Sequence, residues 1–250
     1  MAAAVDADAE GIKKTNKKGR LESPLLTLEK MIFQYLDAFT KDPVSAFVSL
    51  TLVLISIMGA VSIHEFSHAY ASNKLGDTTA KSLGRLTLNP KSHLDPLGSL
   101  LFLVAGFGWG KPVPVNVYGI KKLSPQIGMA AVSLAGPASN LITAILMGVL
   151  IKQIAPNFDL WQIWIELGAR FVQISLILAF FNLIPLPPLD GYKVLLGLLP
   201  MNLAAKYSGI ERYGPFALMT LFFIDIGVPG ISILSSIVGT PVKLLTHWIF

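Results

Sequence analysis

Long apolar runs, separated by short polar and basic stretches, organise most of the chain. The first extends from Val44 to about Tyr70, and at 1.5 Å per residue about 20 residues cross the hydrocarbon of a bilayer. Ile127–Ile151 and Leu160–Ile184 predict a second and a third span, the third ending where Pro185, Pro187 and Pro188 forbid further helix. Tyr213–Gly227 and Ile231–Phe250 predict one or two more, interrupted at Val228-Pro229-Gly230. Leu97–Phe107 is apolar over only half a span. It leads into a stretch where Val113, Val115 and Val117 alternate with Pro and Asn, which reads as a re-entrant segment followed by an edge strand, where Pro is tolerated. The pattern predicts an all-α polytopic membrane protein: a bundle of about five to six transmembrane or re-entrant helices with a short β-strand or hairpin element.

Composition agrees. Of 250 residues, 53% are apolar and 14% charged, against about 25% charged in an ordinary soluble domain. This excludes a soluble globule, a disordered chain and a nucleic-acid-binding protein. The net charge of +5 sits mostly between the apolar runs, where Lys and Arg orient membrane proteins. Residues 1–20 read as a polar, basic tail without the apolar stretch of a signal peptide. Residues 24–41 mix apolar and charged positions at helical spacing, which suits an interfacial helix. The chain therefore divides into a tail with an interfacial helix over 1–43 and a membrane-embedded core over 44–250, with no internal repeat and no linker to a second domain. With no cysteine, any transition metal must be held by His, Asp or Glu.

His64-Glu65-Phe66-Ser67-His68 near the end of the first run is an HExxH sequence. On a helix, positions i and i+4 share a face, so both imidazoles can bind one zinc ion with Glu65 placed beside its water as general base. In a shuffled chain of this composition such a match is expected roughly 0.0015 times. Three ionisable groups inside a membrane helix are also expensive to bury. A hydrolytic zinc needs a third protein ligand and an open fourth position. The candidates are Asp190, Asp225, Glu166, His93 and His247. Asp190 stands out because it follows a proline-broken helix end, and irregular backbone at membrane depth is tolerated where it lines a wet cavity or is buried in protein.

HExxH in the first span together with Asn182-Leu-Ile-Pro-Leu-Pro-Pro-Leu-Asp190-Gly191 resembles the site-2 protease family of intramembrane zinc metalloproteases. LGRLTLNPKSHLDPLGSLLF, GFGWGKPVPVN and AGPASN are similar to its compact branch, which lacks the PDZ or CBS domain of larger members; the likeness covers roughly residues 44–215. The resemblance implies a zinc metalloendopeptidase with His64, His68 and Asp190 as zinc ligands and Glu65 as catalytic base. It also implies a membrane protein substrate, cut within or near a transmembrane helix. The implied setting is a prokaryotic cytoplasmic membrane. The alternatives are a transporter or channel, which usually shows paired repeats not found here, and a zinc-binding scaffold without turnover.

Zinc closure constrains topology independently of any family. If one ion joins the C-terminal half of the first span to Asp190, the ends of the first and third spans face one side, and residues 111–122 join them. The loops 74–93, 111–122 and 187–212 on that side hold ten Lys and Arg. Lys30, Lys41 and Lys152 lie towards the other, so the catalytic side is expected to be cytoplasmic. Asn140, in Gly136-Pro-Ala-Ser-Asn140, is a candidate oxyanion donor or an interhelical contact; Asn182 is a second candidate or a helix cap. His93 is read as a support to the metal site or a solvated loop residue, His247 as an interface anchor, and Glu166 with Arg170 as an ion pair one turn apart. Asp225 has no evident partner in the sequence.

Overall fold

The computed structural model describes residues 39–98, 110–154, 162–228 and 232–250. Most of the interfacial helix expected over 24–41, most of the re-entrant segment over 97–107, and the break at 229–230 fall outside them. In chain order the helices are α1 (Pro43–Leu75), α2 (Thr79–Ser82), α3 (Pro125–Ile154), α4 (Gln162–Asn182), α5 (Asp190–Leu198), α6 (Met201–Ser208), α7 (Gly214–Gly227) and α8 (Ile233–Ile249), with 3-10 turns between several of them. Three of these, α1, α3 and α4, are long and apolar enough to cross a membrane. The protein is an all-α polytopic fold.

Both ends of α1 are written locally. Asp42 accepts a hydrogen bond from the Ser45 N–H at 3.1 Å, and Pro43 occupies the first turn, where its missing N–H costs nothing. Gly76 ends the helix at φ +113°, a left-handed conformation that a side chain disfavours. At α8 the cap comes from a distance: Asp225 of α7 accepts the N–H groups of Leu234 and Ser235 at 2.9 and 2.7 Å. That is the partner the sequence did not reveal for Asp225.

Packing is inverted relative to a soluble bundle. Ser56, Ser62, Asn140 and Ser175 are buried while Phe47, Leu146 and Trp164 face outward. Small residues allow close helix approach, as is usual in membranes: a Cβ at Gly168 would collide with Ile151, and one at Gly148 with Ile249. Around α3 gather α1, α4 and α5, and α8 lies against α4. Ala144, Val172, Leu176 and Val242 form the centre of the apolar core.

The expected strand over 111–117 is not formed. Among the described residues, the only β-pairing is an isolated antiparallel bridge between Leu94 and Gly110. Pro112 and Pro114 bring no N–H to a ladder, and side chains take the neighbouring backbone groups. Arg85 Nη2 donates to the carbonyls of Lys111 and Pro112, both at 2.8 Å, Val113 N–H donates to Glu65 and Asn116 N–H donates to Asp77. Residues 187–212, expected as a loop, contain the short helices α5 and α6.

Candidate metal centre

His64 and His68 stand on successive turns of α1, 4% and 7% exposed, their rings edge-to-face with centroids 4.7 Å apart. Asp190 opens α5 directly after the turn that contains the cis Pro187-Pro188 bond. Its Oδ2 lies 3.0 Å from His64 Nε2 and 3.1 Å from His68 Nε2, although 126 positions separate it from His64. The three ligand atoms all lie within 4.8 Å of one another. A tetrahedral zinc with bonds of 2.0–2.1 Å holds its ligand atoms roughly 3.3 Å apart, and the two Asp190 contacts lie within a few tenths of an ångström of that spacing. Two imidazoles and one carboxylate are also the donors a hydrolytic zinc uses.

The neighbouring chain supports the fit. His68 Nδ1 donates to the Val132 carbonyl at 2.7 Å, which fixes the tautomer that leaves the Nε2 lone pair for a metal. Gly136 of α3 lies against both rings: a Cβ there would sit 2.7 Å from His64 Nε2 and closer still to His68 Nε2. Pro137 follows inside the helix and has no N–H for the carbonyl of Ser133. Glu65 Oε2 accepts the Val113 N–H at 3.1 Å. The cleft, about 150 Å³, is lined by His64, Glu65, His68 and Asp190 and by Pro112, Val113, Ser133 and Asn182, with Lys193 among others.

Similar proteins share this chemistry by name. "Putative zinc metalloprotease YwhC" of Bacillus subtilis is 42% identical over 197 residues, covering 77% of this chain and 88% of that protein. The chain belongs to this family of zinc metalloproteases. "Putative zinc metalloprotease MJ0611" of Methanocaldococcus jannaschii is 28% identical over 173 residues, 68% of this chain and 81% of that one. "Putative zinc metalloprotease Rip2" of Mycolicibacterium smegmatis is 31% identical over 169 residues, 64% and 62% respectively. No protein-family model matches the chain, and no solved structure matches it significantly.

The remaining candidates of this metalloprotease separate cleanly. Asn182 lines the cleft, and its Nδ2 donates to the Leu178 carbonyl at 2.9 Å, closing the last turn of α4. Asn140 does not line it: fully buried, it gives its amide to the Ala60 carbonyl of α1 at 3.3 Å. The interhelical contact, not the oxyanion donor, is the arrangement present. His93 is not solvated. It is fully buried, and its Nε2 donates to Thr87 O at 2.7 Å within the loop it braces. Glu166 and Arg170 form their ion pair at 2.7 Å, and His247 is exposed on α8.

Two supporting residues escaped the sequence reading. Buried Arg85 spans from the end of α2 to the 111–112 carbonyls with no carboxylate partner among the described residues. Asp77 collects the Ser72 and Thr79 hydroxyls and the Thr79 and Asn116 N–H groups at 2.6–3.0 Å. The Arg85 partners and the Asn116 N–H on Asp77 are backbone groups, which carry no residue-type signal.

Proposed function

We propose that this protein is an intramembrane endopeptidase of the site-2 protease type, cutting peptide bonds within or near transmembrane segments of membrane protein substrates. The observation that carries the proposal is the convergence of His64, His68 and Asp190, with Glu65 in the same cleft, among helices of membrane-spanning length. When held by those three side chains, zinc supplies a Lewis acid that polarises the scissile carbonyl and lowers the pKa of a water towards about 7.

The chain's own residues do the rest. Val113 N–H holds one oxygen of the Glu65 carboxylate, leaving the other to take a proton from the attacking water and pass it to the departing amine. Asn182 lines the cleft with one amide hydrogen engaged with Leu178, and its second is the donor we assign to the developing oxyanion. A cavity of about 150 Å³ is below the roughly 300 Å³ at which small-ligand pockets begin. An extended peptide therefore enters by displacing part of the cleft wall, with the main-chain groups of Val113 and Val115 not used by Glu65 as the sequence-tolerant mode of capture. The surroundings are a prokaryotic cytoplasmic membrane, with the catalytic side cytoplasmic.

The test is purification in detergent followed by zinc analysis and cleavage of a model transmembrane substrate, with Glu65→Gln alongside. One zinc per chain is expected in both proteins, with cleavage falling at least about 100-fold in the variant. Stoichiometric zinc without Glu65-dependent cleavage would leave a scaffold, and absence of zinc would leave a transporter or channel.

A further inference from the structure

His68 and His64 are supported unequally. His68 Nδ1 has its acceptor in the Val132 carbonyl. His64 Nδ1 is buried and has no hydrogen-bond partner. A histidine that presents Nε2 to a metal carries its proton on Nδ1, and that N–H almost always has a carbonyl or carboxylate partner. A buried N–H left without one is costly.

A second buried orphan lies on the facing helix. Asn140 Oδ1 has no partner, while the nitrogen of the same amide reaches Ala60 O in a long 3.3 Å contact. Ala60 is one helical turn before His64 on α1, and Gly136, which touches His64 Nε2, is one turn before Asn140 on α3. The two helices therefore run antiparallel past each other at this level. Side chains lean towards the N-terminus of their own helix. His64 thus leans towards the level of Ala60, and Asn140 towards the level of Gly136: the two lean towards each other. One orphan is a donor and the other an acceptor.

We propose that Asn140 is a positioning residue for the metal centre: when zinc is held, its Oδ1 closes on the Nδ1–H of His64 and does for that ligand what the Val132 carbonyl does for His68. The role rests on the zinc-peptidase reading above. It differs from oxyanion stabilisation, because Asn140 acts through His64 and touches no substrate. Its amide nitrogen keeps the Ala60 contact, so one side chain ties α1 to α3 and fixes the tautomer of the first ligand.

Zinc affinity tests it, read by chelator competition on full-length protein in detergent. Removing such an outer partner costs about 10–100-fold in metal affinity, so Asn140→Ala should weaken zinc binding by that factor and recover most cleavage at saturating zinc. Asn140→Asp, which keeps an acceptor, should bind zinc at least as tightly as the unaltered protein, and a loss equal to that of Asn140→Ala would count against the proposal. Unchanged affinity in Asn140→Ala would overturn the proposal, whether or not activity fell; a loss of cleavage at full zinc occupancy would reassign Asn140 to the oxyanion. A zinc-loaded structure of the unaltered protein gives a reading that needs no variant. His64 Nδ1 and Asn140 Oδ1 should lie within about 3.2 Å, and a separation too long for a hydrogen bond would sink the idea. Wild-type zinc content and Glu65-dependent cleavage are read in the same series, so a failure of the peptidase reading is distinguishable from a failure at Asn140.

Discussion

At Gly136 the absence of a side chain is what gives the metal its room. The Cβ of an alanine would occupy the space in front of both Nε2 atoms, 2.7 Å from that of His64. The clash is with ring atoms of two buried histidines, not with the free end of a flexible chain. Neither imidazole can swing away without leaving Asp190 or, for His68, the Val132 carbonyl. Gly136→Ala is therefore expected to lower zinc affinity by at least about 100-fold, the upper range seen for losing a supporting contact. Metal analysis after purification checks this. Retention of full zinc would show that α3 can retreat from α1 by the required distance.

Among the elements, the loop from Lys111 to Asn116 owes its position to three charged side chains. Arg85 holds its start, Glu65 its middle and Asp77 its end. Burial pushes the Asp77 carboxyl up, but the Thr79 and Ser72 hydroxyls and the Thr79 and Asn116 N–H groups outweigh it and hold the group below its ordinary value. A depressed folded-state pKa adds stability that is complete above the unfolded value of about 3.9 and is lost as pH falls through the lower folded value. Asp77→Asn should then cost about 1–3 kcal/mol near neutral pH. The gap from wild type should narrow as the pH drops below about 4, which thermal unfolding in detergent at several pH values would follow. A gap independent of pH would mean that shape, and not charge, is what Asp77 contributes.

The same loop shows what the sequence could and could not disclose. Helices α1, α3 and α4 were legible because a span must be continuously apolar, and His64, Glu65 and His68 because metal ligation at i and i+4 has a fixed spacing. Asp190 was legible from the prolines that break the helix before it. Arg85 and Asp225 were not, since they pair with main-chain groups whose own residue types are arbitrary, and nor was the tie from Asp77 to the Asn116 N–H. Valine alternation over 113–117 suggested a strand, but the pattern does not register that side chains satisfy the backbone first. Gly136 was visible only as the start of the Gly136-Pro-Ala-Ser-Asn140 stretch; its contact with the imidazoles depends on how closely α3 approaches α1.

For the whole molecule, the proposed orientation follows from charge and from the site together. The His64–Asp190 contact brings the C-terminal half of α1 and the start of α5 to one side, the side whose loops carry ten Lys and Arg. Basic residues close to span ends are retained in the cytoplasm. The chain has no cysteine, so single cysteines report sidedness without background. Tyr118, 91% exposed in the 111–122 loop, and Lys152, exposed at the far end of α3, are suitable positions. They are separated by 34 positions along the chain, most of them in α3, a helix whose 30 residues rise about 45 Å. A membrane-impermeant maleimide added to intact cells should label Lys152→Cys and spare Tyr118→Cys until the membrane is opened. The reverse pattern would turn the catalytic side outward, and labelling of both in intact cells would mean that α3 does not separate two compartments.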